Sequence, residues 1–255
     1  MRRRLLIAGC AGGLIAGGLA PFAAGAFALE RQALWQVVRA CVADYKLTGA
    51  PFPCLQVDLN GGEERGYVIL GPPLLRDTIL SPTRKVIGVE DPFLQSPGAP
   101  NYFDAAWRAR SFLVGAEGKP PERERVALGV NSIHKRSQDQ LHIHIGCLVP
   151  SARLAVAAAA AQLRFGEWAR VGPIIPHSTF WGMKIKEADL AEVQPIDVAA
   201  AHLADRVRNR EDLTVVVANA RIDGEDDFLI LASYIRAPGS WWSIGAEDLI
   251  DARCS

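Results

Sequence analysis

Apolar residues recur along this chain at two spacings. Between positions 30 and 45, Leu34, Val37, Val38, Cys41 and Val42 fall three and four apart, the stripe of an amphipathic helix. A Pro-rich loop from Thr48 to Pro53 ends it. Short apolar runs follow at Cys54–Val57, Gly66–Leu70 and Thr78–Leu80, broken by Pro and Gly, and these predict strands. A loop over 81–100 leads to Asn101, placed to cap a helix from Tyr102 to Val114 that contains Trp107 and Phe112. Val126–Val130 predicts a buried strand. A polar hairpin over 131–139 then joins it to a second strand ending near Val149 and Pro150. Ser151 is placed to cap an alanine-rich helix reaching about Phe165. Further on, a strand over Thr179–Lys186 precedes an acidic helix start near Glu187. Asp197 is placed to cap a helix over Val198–Val207. Thr214–Ala220 and Phe228–Tyr234 form strands on either side of an Asp/Gly-rich turn. Strands mixed with helices through short connections predict an α+β fold, a mostly antiparallel sheet with flanking helices.

One strand departs from the ordinary alternation of apolar and solvent-facing residues. In Gln140-Leu141-His142-Ile143-His144-Ile145, alternate residues share a face. Leu141, Ile143 and Ile145 turn to a core, so Gln138, Gln140, His142 and His144 turn the other way together. Polar side chains in a row on an apolar strand point to a site that handles protons, a metal or phosphate.

Composition adds two constraints. The chain is 49% hydrophobic, enough for a sizeable core, and its 28 basic and 28 acidic residues balance, which gives no argument for a nucleic-acid partner. Residues 1–28 differ from the rest. Arg2, Arg3 and Arg4 precede an apolar stretch from Leu5, and Ala26-Phe27-Ala28 resembles a small-residue cleavage site. The segment reads either as a signal peptide or as a retained membrane anchor with the arginines in the cytoplasm. Either way residues 29–255 form an exported domain, in the periplasm or held single-pass at the inner membrane. Cysteine usage agrees with export. Besides Cys10 there are Cys41, Cys54, Cys147 and Cys254, an even number suited to two disulfides. Of the three possible pairings, Cys41–Cys54 closes a short Pro-rich loop, which leaves Cys147–Cys254. Free buried thiols are the plainer alternative.

A neutral imidazole can attack phosphorus and form a labile phosphoramidate. It needs a neighbour to fix its tautomer and donors to hold the phosphate oxygens. His142 and His144 share a face, and Ser137 and Gln138 lie in the hairpin just before them. Lys135 and Arg136 add positive charge there. Such a site can hold a pyrophosphate with no cofactor. A different class of reading makes the His-x-His pair a metal site, with His177 or Asp139 as a third ligand. His177-Ser178-Thr179-Phe180 also fits one motif of the two-histidine phosphoesterases, which require two.

The segment from Asn131 to Ile145 resembles the histidine-triad superfamily, whose signature is His-φ-His-φ-His-φ-φ with the middle histidine as nucleophile. Gln140, His142 and His144 fall at its three positions, and Ser137 falls where the superfamily places a phosphate-contacting serine. Gln140 departs from the pattern: it hydrogen-bonds but does not titrate. The galactose-1-phosphate uridylyltransferases carry a glutamine in a related variant. A fuller resemblance is to the bacterial CDP-diacylglycerol pyrophosphatases. It rests on the N-terminal apolar segment, the spaced Cys41 and Cys54, Gly66–Leu70, Ser81-Pro82-Thr83 and Gly88-Val89-Glu90-Asp91-Pro92. Ala99–Phe103, Ala106–Arg110, Asn131-Ser132, Arg136-Ser137-Gln138, the histidine strand ending at Cys147, and Cys254 continue it. The resemblance implies a histidine-triad-like domain hydrolysing CDP-diacylglycerol to CMP and phosphatidate at a membrane. It implies His142 as nucleophile, His144 as its catalytic partner, and Asn131, Arg136, Ser137, Gln138 and Gln140 as the substrate-binding set. The alternatives are a hydrolase of soluble nucleotide or nucleotide-sugar pyrophosphates and a periplasmic metal-binding protein.

Overall fold

The computed structural model describes residues 30–115, 118–176, 178–207, 209–222, 225–234 and 244–255. Helix α1 (Ala33–Thr48) ends where Gly49 takes a left-handed conformation (φ 76°) and its amide returns to the Tyr45 carbonyl. Strands β1 (Gln56–Asp58), β2 (Tyr67–Leu70) and β3 (Thr78–Pro82) follow. Helix α2 (Tyr102–Arg108) is capped by Asn101, whose Oδ1 accepts from the Asp104 amide at 3.1 Å. It tightens into a 3₁₀ turn at Ala109–Phe112, short of the expected helix to Val114. Strands β4 (Val126–Val130) and β5 (Ile143–Leu148) lead into α3 (Pro150–Gln162). Next come β6 (Trp168–Val171), β7 (Phe180–Lys186), α4 (Pro195–His202), β8 (Leu213–Ile222), β9 (Glu225–Tyr234) and β10 (Ile250–Asp251).

The strands form one sheet in the order β1-β2-β3-β5-β4-β8-β9-β7-β6, every pair antiparallel, with β10 added to β5. The α+β class and the mostly antiparallel sheet therefore match the sequence pattern. One face carries the largest core, where Leu80, Leu128, Ile143, Ile145, Val217 and Ile230 meet α2 and α4. Trp107 of α2 meets Phe228 edge to face at 4.8 Å. The opposite face carries two smaller cores. Val68, Leu70 and Ile79 pack under α1, while Ala127, Val216, Leu229 and Leu231 pack under α3.

Several local expectations are corrected. Ser151 and Asp197 do not cap their helices. Each helix starts earlier, at Pro150 and Pro195, because proline suits the first turn, where its missing N–H has no partner to lose. Asp197 instead pairs with Arg210. The acidic start at Glu187 is only a 3₁₀ turn, Glu187–Ala191. Strand β6, absent from the expectation, is a short half-buried edge without clean alternation. Both proposed disulfides are present, Cys41–Cys54 and Cys147–Cys254.

Candidate active site

Strand β5 carries His144, and His142 immediately precedes it. Because Ile143 and Ile145 enter the large core, the two histidines emerge on the face that α1 and α3 share, in the trough between the two smaller cores. His144 lies opposite Ile79 of β3 and Gly129 of β4. Gly129 is a requirement of packing. A Cβ there would lie 2.5 Å from the Ala246 Cβ and 2.9 Å from the Ile250 Cδ1. Its absence lets the 3₁₀ turn Ala246–Asp248 rest on the sheet, and that turn brings Glu247 to His144.

The two imidazoles are 5.1 Å apart between centroids, at 67°, yet their surroundings drive them to opposite protonation states. The His142 Nδ1 lies 2.8 Å from the Gln140 carbonyl. A carbonyl only accepts, so Nδ1 carries the proton and Nε2 keeps its lone pair. Burial, reinforced by the charge on His144, pushes the His142 pKa down to about 4. His142 is therefore neutral at neutral pH. Burial alone would do the same to His144, but carboxylates on both sides overcome it. Its Nδ1 is 3.5 Å from Asp77 Oδ2 and its Nε2 is 3.2 Å from Glu247 Oε1. Together they raise its pKa to about 9, so this ring is an imidazolium. The Glu247 contact is an ion pair whose alignment falls short of a hydrogen bond for Nε2. Burial opposes the charge on Glu247 as well, but His144 and Asn131 hold its carboxyl down at about 2. The Asn131 amide donates to both carboxylate oxygens at 2.7 Å, while its Oδ1 accepts from the Ala246 amide at 2.7 Å.

A cleft of about 310 Å³ opens onto His142 and His144. Its polar end holds Ser137, Gln138, Arg76 and Asp77, and its other wall is apolar, formed by Ala33, Leu34, Val37, Leu70, Leu75 and Ile79. A smaller cavity of about 130 Å³ touches His144, Asp77, Glu247 and Arg76, with Ile250 and Ala252 at its margin. It adjoins the gap along β5 where β3 stops at Ile145 and β10 begins at Cys147.

Residues 29–255 match the family model described as CDP-diacylglycerol pyrophosphatase. The chain belongs to the CDP-diacylglycerol pyrophosphatase family. A relative named CDP-diacylglycerol pyrophosphatase from Yersinia pestis is 31% identical over 208 residues, covering 79% of this chain and 76% of its own. A Mycobacterium leprae protein named probable CDP-diacylglycerol pyrophosphatase is 31% identical over 234 residues, covering 89% and 82%. Among solved structures, a DUF4931 family protein from Bacillus cereus is similar at 12% identity and TM-score 0.42, covering 71% of this chain and 88% of its own.

The residues singled out in this family member's sequence divide into two groups. Ser137, Gln138, His142 and His144 line the cleft. Gln138 also anchors α1, since its Oε1 accepts from the Leu34 amide at 2.9 Å. Gln140, Arg136 and Asn131 lie behind the cleft. Gln140 does not share the histidines' open side as the alternation implied. It is fully buried, accepting from the Val86 amide at 3.2 Å and donating to the carbonyls of Pro82 (2.9 Å) and Arg84 (3.0 Å). The strand's regular pairing begins only at Ile143, so the alternation does not extend back to position 140. Arg136 grips Glu90 with both guanidinium nitrogens at 2.7 and 2.8 Å. Asn131 clamps Glu247. Of the suggested third metal ligands, Asp139 is engaged by Arg31, and His177 lies outside the described residues. Among the described residues no group of three or more His, Cys, Asp or Glu is arranged to hold a metal ion. Sequence reasoning missed Asp77, Glu247 and the α1 wall. Each is remote along the chain, and none carries a local motif.

Proposed function

We propose that this protein hydrolyses the pyrophosphate bond of CDP-diacylglycerol, giving CMP and phosphatidate, with His142 as a covalent nucleophile. The Nε2 lone pair forms a bond to the CMP-side phosphorus. The bond from that phosphorus to the bridging oxygen breaks, and its electron pair leaves with phosphatidate. A phosphomonoester holds its second negative charge with a pKa of about 6, so this leaving group needs charge stabilisation more than a proton. The His144 imidazolium, two residues along and 5.1 Å away between ring centroids, supplies positive charge in a water-poor setting. The proton stays on Nδ1, which donates to the Gln140 carbonyl, and that hydrogen bond supports the positive charge that the phosphorylated ring gains. Water then attacks the cytidylyl phosphorus, the P–N bond breaks with its electron pair returning to Nε2, and the protons that the water gives up pass to solvent as CMP leaves. Ser137 and Gln138 line the cleft, which supports their role as contacts to the phosphate oxygens.

The observation that carries this reading is the pairing of a neutral, tautomer-fixed His142 with a cationic His144 at the mouth of one cleft. The lipid substrate is favoured over a soluble nucleotide by the cleft's apolar wall, which a nucleotide-sugar would leave unused. An anchored enzyme also meets a bilayer substrate at high effective concentration. Residues 1–28 are therefore proposed as an inner-membrane tether or export signal, with the catalytic domain in the periplasm. Among the described residues no helix is long and apolar enough to cross a membrane, and the apolar stretch from Leu5 lies outside them.

The test is to quench turnover of short-chain CDP-diacylglycerol and search His142 peptides by mass spectrometry for a cytidylyl adduct. The adduct is expected on wild type and absent from His142→Ala, which should fold normally and lose essentially all hydrolysis. Wild-type turnover by His142→Ala would overturn the mechanism. Faster turnover of CDP-choline or ADP-ribose than of the lipid would move the substrate to the soluble class.

A further inference from the structure

We propose that Asp77 and Glu247 are positioning residues of this reaction, a pair of carboxylates that bracket His144 and hold it as the cation facing the reacting phosphate. The proposal rests on the hydrolytic reading of the site and adds two residues to it from distant parts of the chain.

The arrangement calls for an explanation because it opposes the substrate. A pyrophosphate diester carries two negative charges, yet Asp77 lines the cleft that would receive it and Glu247 lines the smaller cavity on the far side of His144. Like charges at that distance weaken binding unless they do something the reaction needs. Their geometry shows what they do. Asp77 approaches Nδ1 at 3.5 Å and Glu247 approaches Nε2 at 3.2 Å, so the same ring is held at both nitrogens. A carboxylate beside each nitrogen stabilises the doubly protonated ring, whose charge is spread over both nitrogens, more than the neutral one.

The fold maintains this bracket from several directions. Asp77 directly precedes β3, which places Ile79 beside His144. Glu247 sits on the turn that Gly129 admits, fixed by both oxygens to the buried Asn131. Among the described residues, other charges around His144 are few. Arg76 approaches Asp77 at 3.8 Å from the same loop, and Lys135 approaches Asp248 at 4.0 Å beyond Glu247. His142 faces the ring from its own strand. The α1 wall contributes Ala33, Leu34 and Val37, and β4 contributes Gly129, none of them charged. The bracket is thus the dominant field on His144. Through His144 it reaches His142, since a cation 5.1 Å away disfavours a second proton there. One pair of carboxylates thus sets the acceptor of phosphate charge and reinforces, through it, the neutral state that burial gives the nucleophile.

The test is a histidine NMR titration of the full chain in detergent, with the His144 resonance assigned by its loss in His144→Gln. In wild type, His144 is expected to titrate well above free histidine. Asp77→Asn and Glu247→Gln should each lower that midpoint by about one unit or more, and the alkaline limb of kcat/KM for CDP-diacylglycerol should move down with it. Asp77→Glu should restore most of the shift, which separates charge from disturbed packing. A His144 midpoint unmoved in both amide variants would overturn the proposal. A midpoint that moves in an enzyme inert toward CDP-diacylglycerol would leave the bracket standing and remove the substrate assignment instead.

Discussion

At the scale of single residues, the site is built from two identical side chains made different by what surrounds them. His142 is buried against a carbonyl and loses its proton; His144 is buried between carboxylates and keeps it. The difference has a consequence for stability. Below the ordinary histidine pKa of 6.5, folded and unfolded chains both protonate residue 144, and its ion pairs contribute fully. Between 6.5 and about 9 only the folded protein holds the proton, so this contribution falls as pH rises. His142 acts in the opposite sense. Its folded pKa of about 4 lies below 6.5, so its contribution is complete above 6.5 and declines as pH falls toward 4. The melting temperature measured by calorimetry should therefore decline from pH 6.5 to 9 in wild type. In His144→Gln that alkaline decline should be largely gone, and an identical slope would contradict the assigned charge. Gln140 shows how a motif position can change employment. Its amide ties Val86, Pro82 and Arg84 to the histidine strand, a structural task that a non-titrating side chain performs well.

At the scale of elements, the cleft depends on how α1 is docked. The ties that hold it include the Cys41–Cys54 disulfide, the Leu34 amide on Gln138, and Arg31 on Asp139 with Nε–Oδ2 at 2.9 Å. The last two attach the helix to the very hairpin that precedes the histidines. Cys147–Cys254 does the same for the C-terminus, anchoring the chain just past β10 to the histidine strand itself. Both bridges restrict the unfolded chain, the second over a separation of 107 residues against 13 for the first. Replacing either cysteine pair by alanine should lower unfolding free energy in urea by about 2–5 kcal/mol. Midpoints unchanged in both double variants would show that neither bridge constrains the fold. The pairings could be read from cysteine parity and loop length. The docking of α1 could not, because Arg31, Gln138 and Asp139 are ordinary polar residues until the fold brings them together.

At the scale of the whole molecule, one sheet separates two environments. Its fully covered face supplies rigidity through α2 and α4. Its other face is divided between the core under α1 and the core under α3, and the site lies along β5 beside α1. The resulting cleft is charged at one end and apolar along one wall, the polarity of a phospholipid headgroup joined to its acyl chains. Val37→Ser together with Leu75→Ser should raise KM for CDP-diacylglycerol about tenfold, a loss of about 1.4 kcal/mol of apolar contact. The effect on water-soluble CDP esters should be far smaller. Equal losses on both substrates, measured in steady-state kinetics, would argue that the wall does not seat the lipid.

Much of this was written in local pattern. Period-two alternation put Ile143 and Ile145 into a core and the histidines on the opposite face, since neighbouring strand residues cannot share a side. Helical periodicity located α1, an asparagine located the start of α2, and the count of cysteines suited the two bridges that formed. These features are short-range, so a window of a few residues contains their cause. Which charges surround each imidazole was settled only when the chain closed. Asp77 and Glu247 reach His144, the latter held by Asn131, through strand pairing and through a glycine that leaves room for a turn. Electrostatic fields depend on distance in space and on exclusion of water. No sequence window contains either one, and so the proton states of the two histidines were decided by tertiary structure alone.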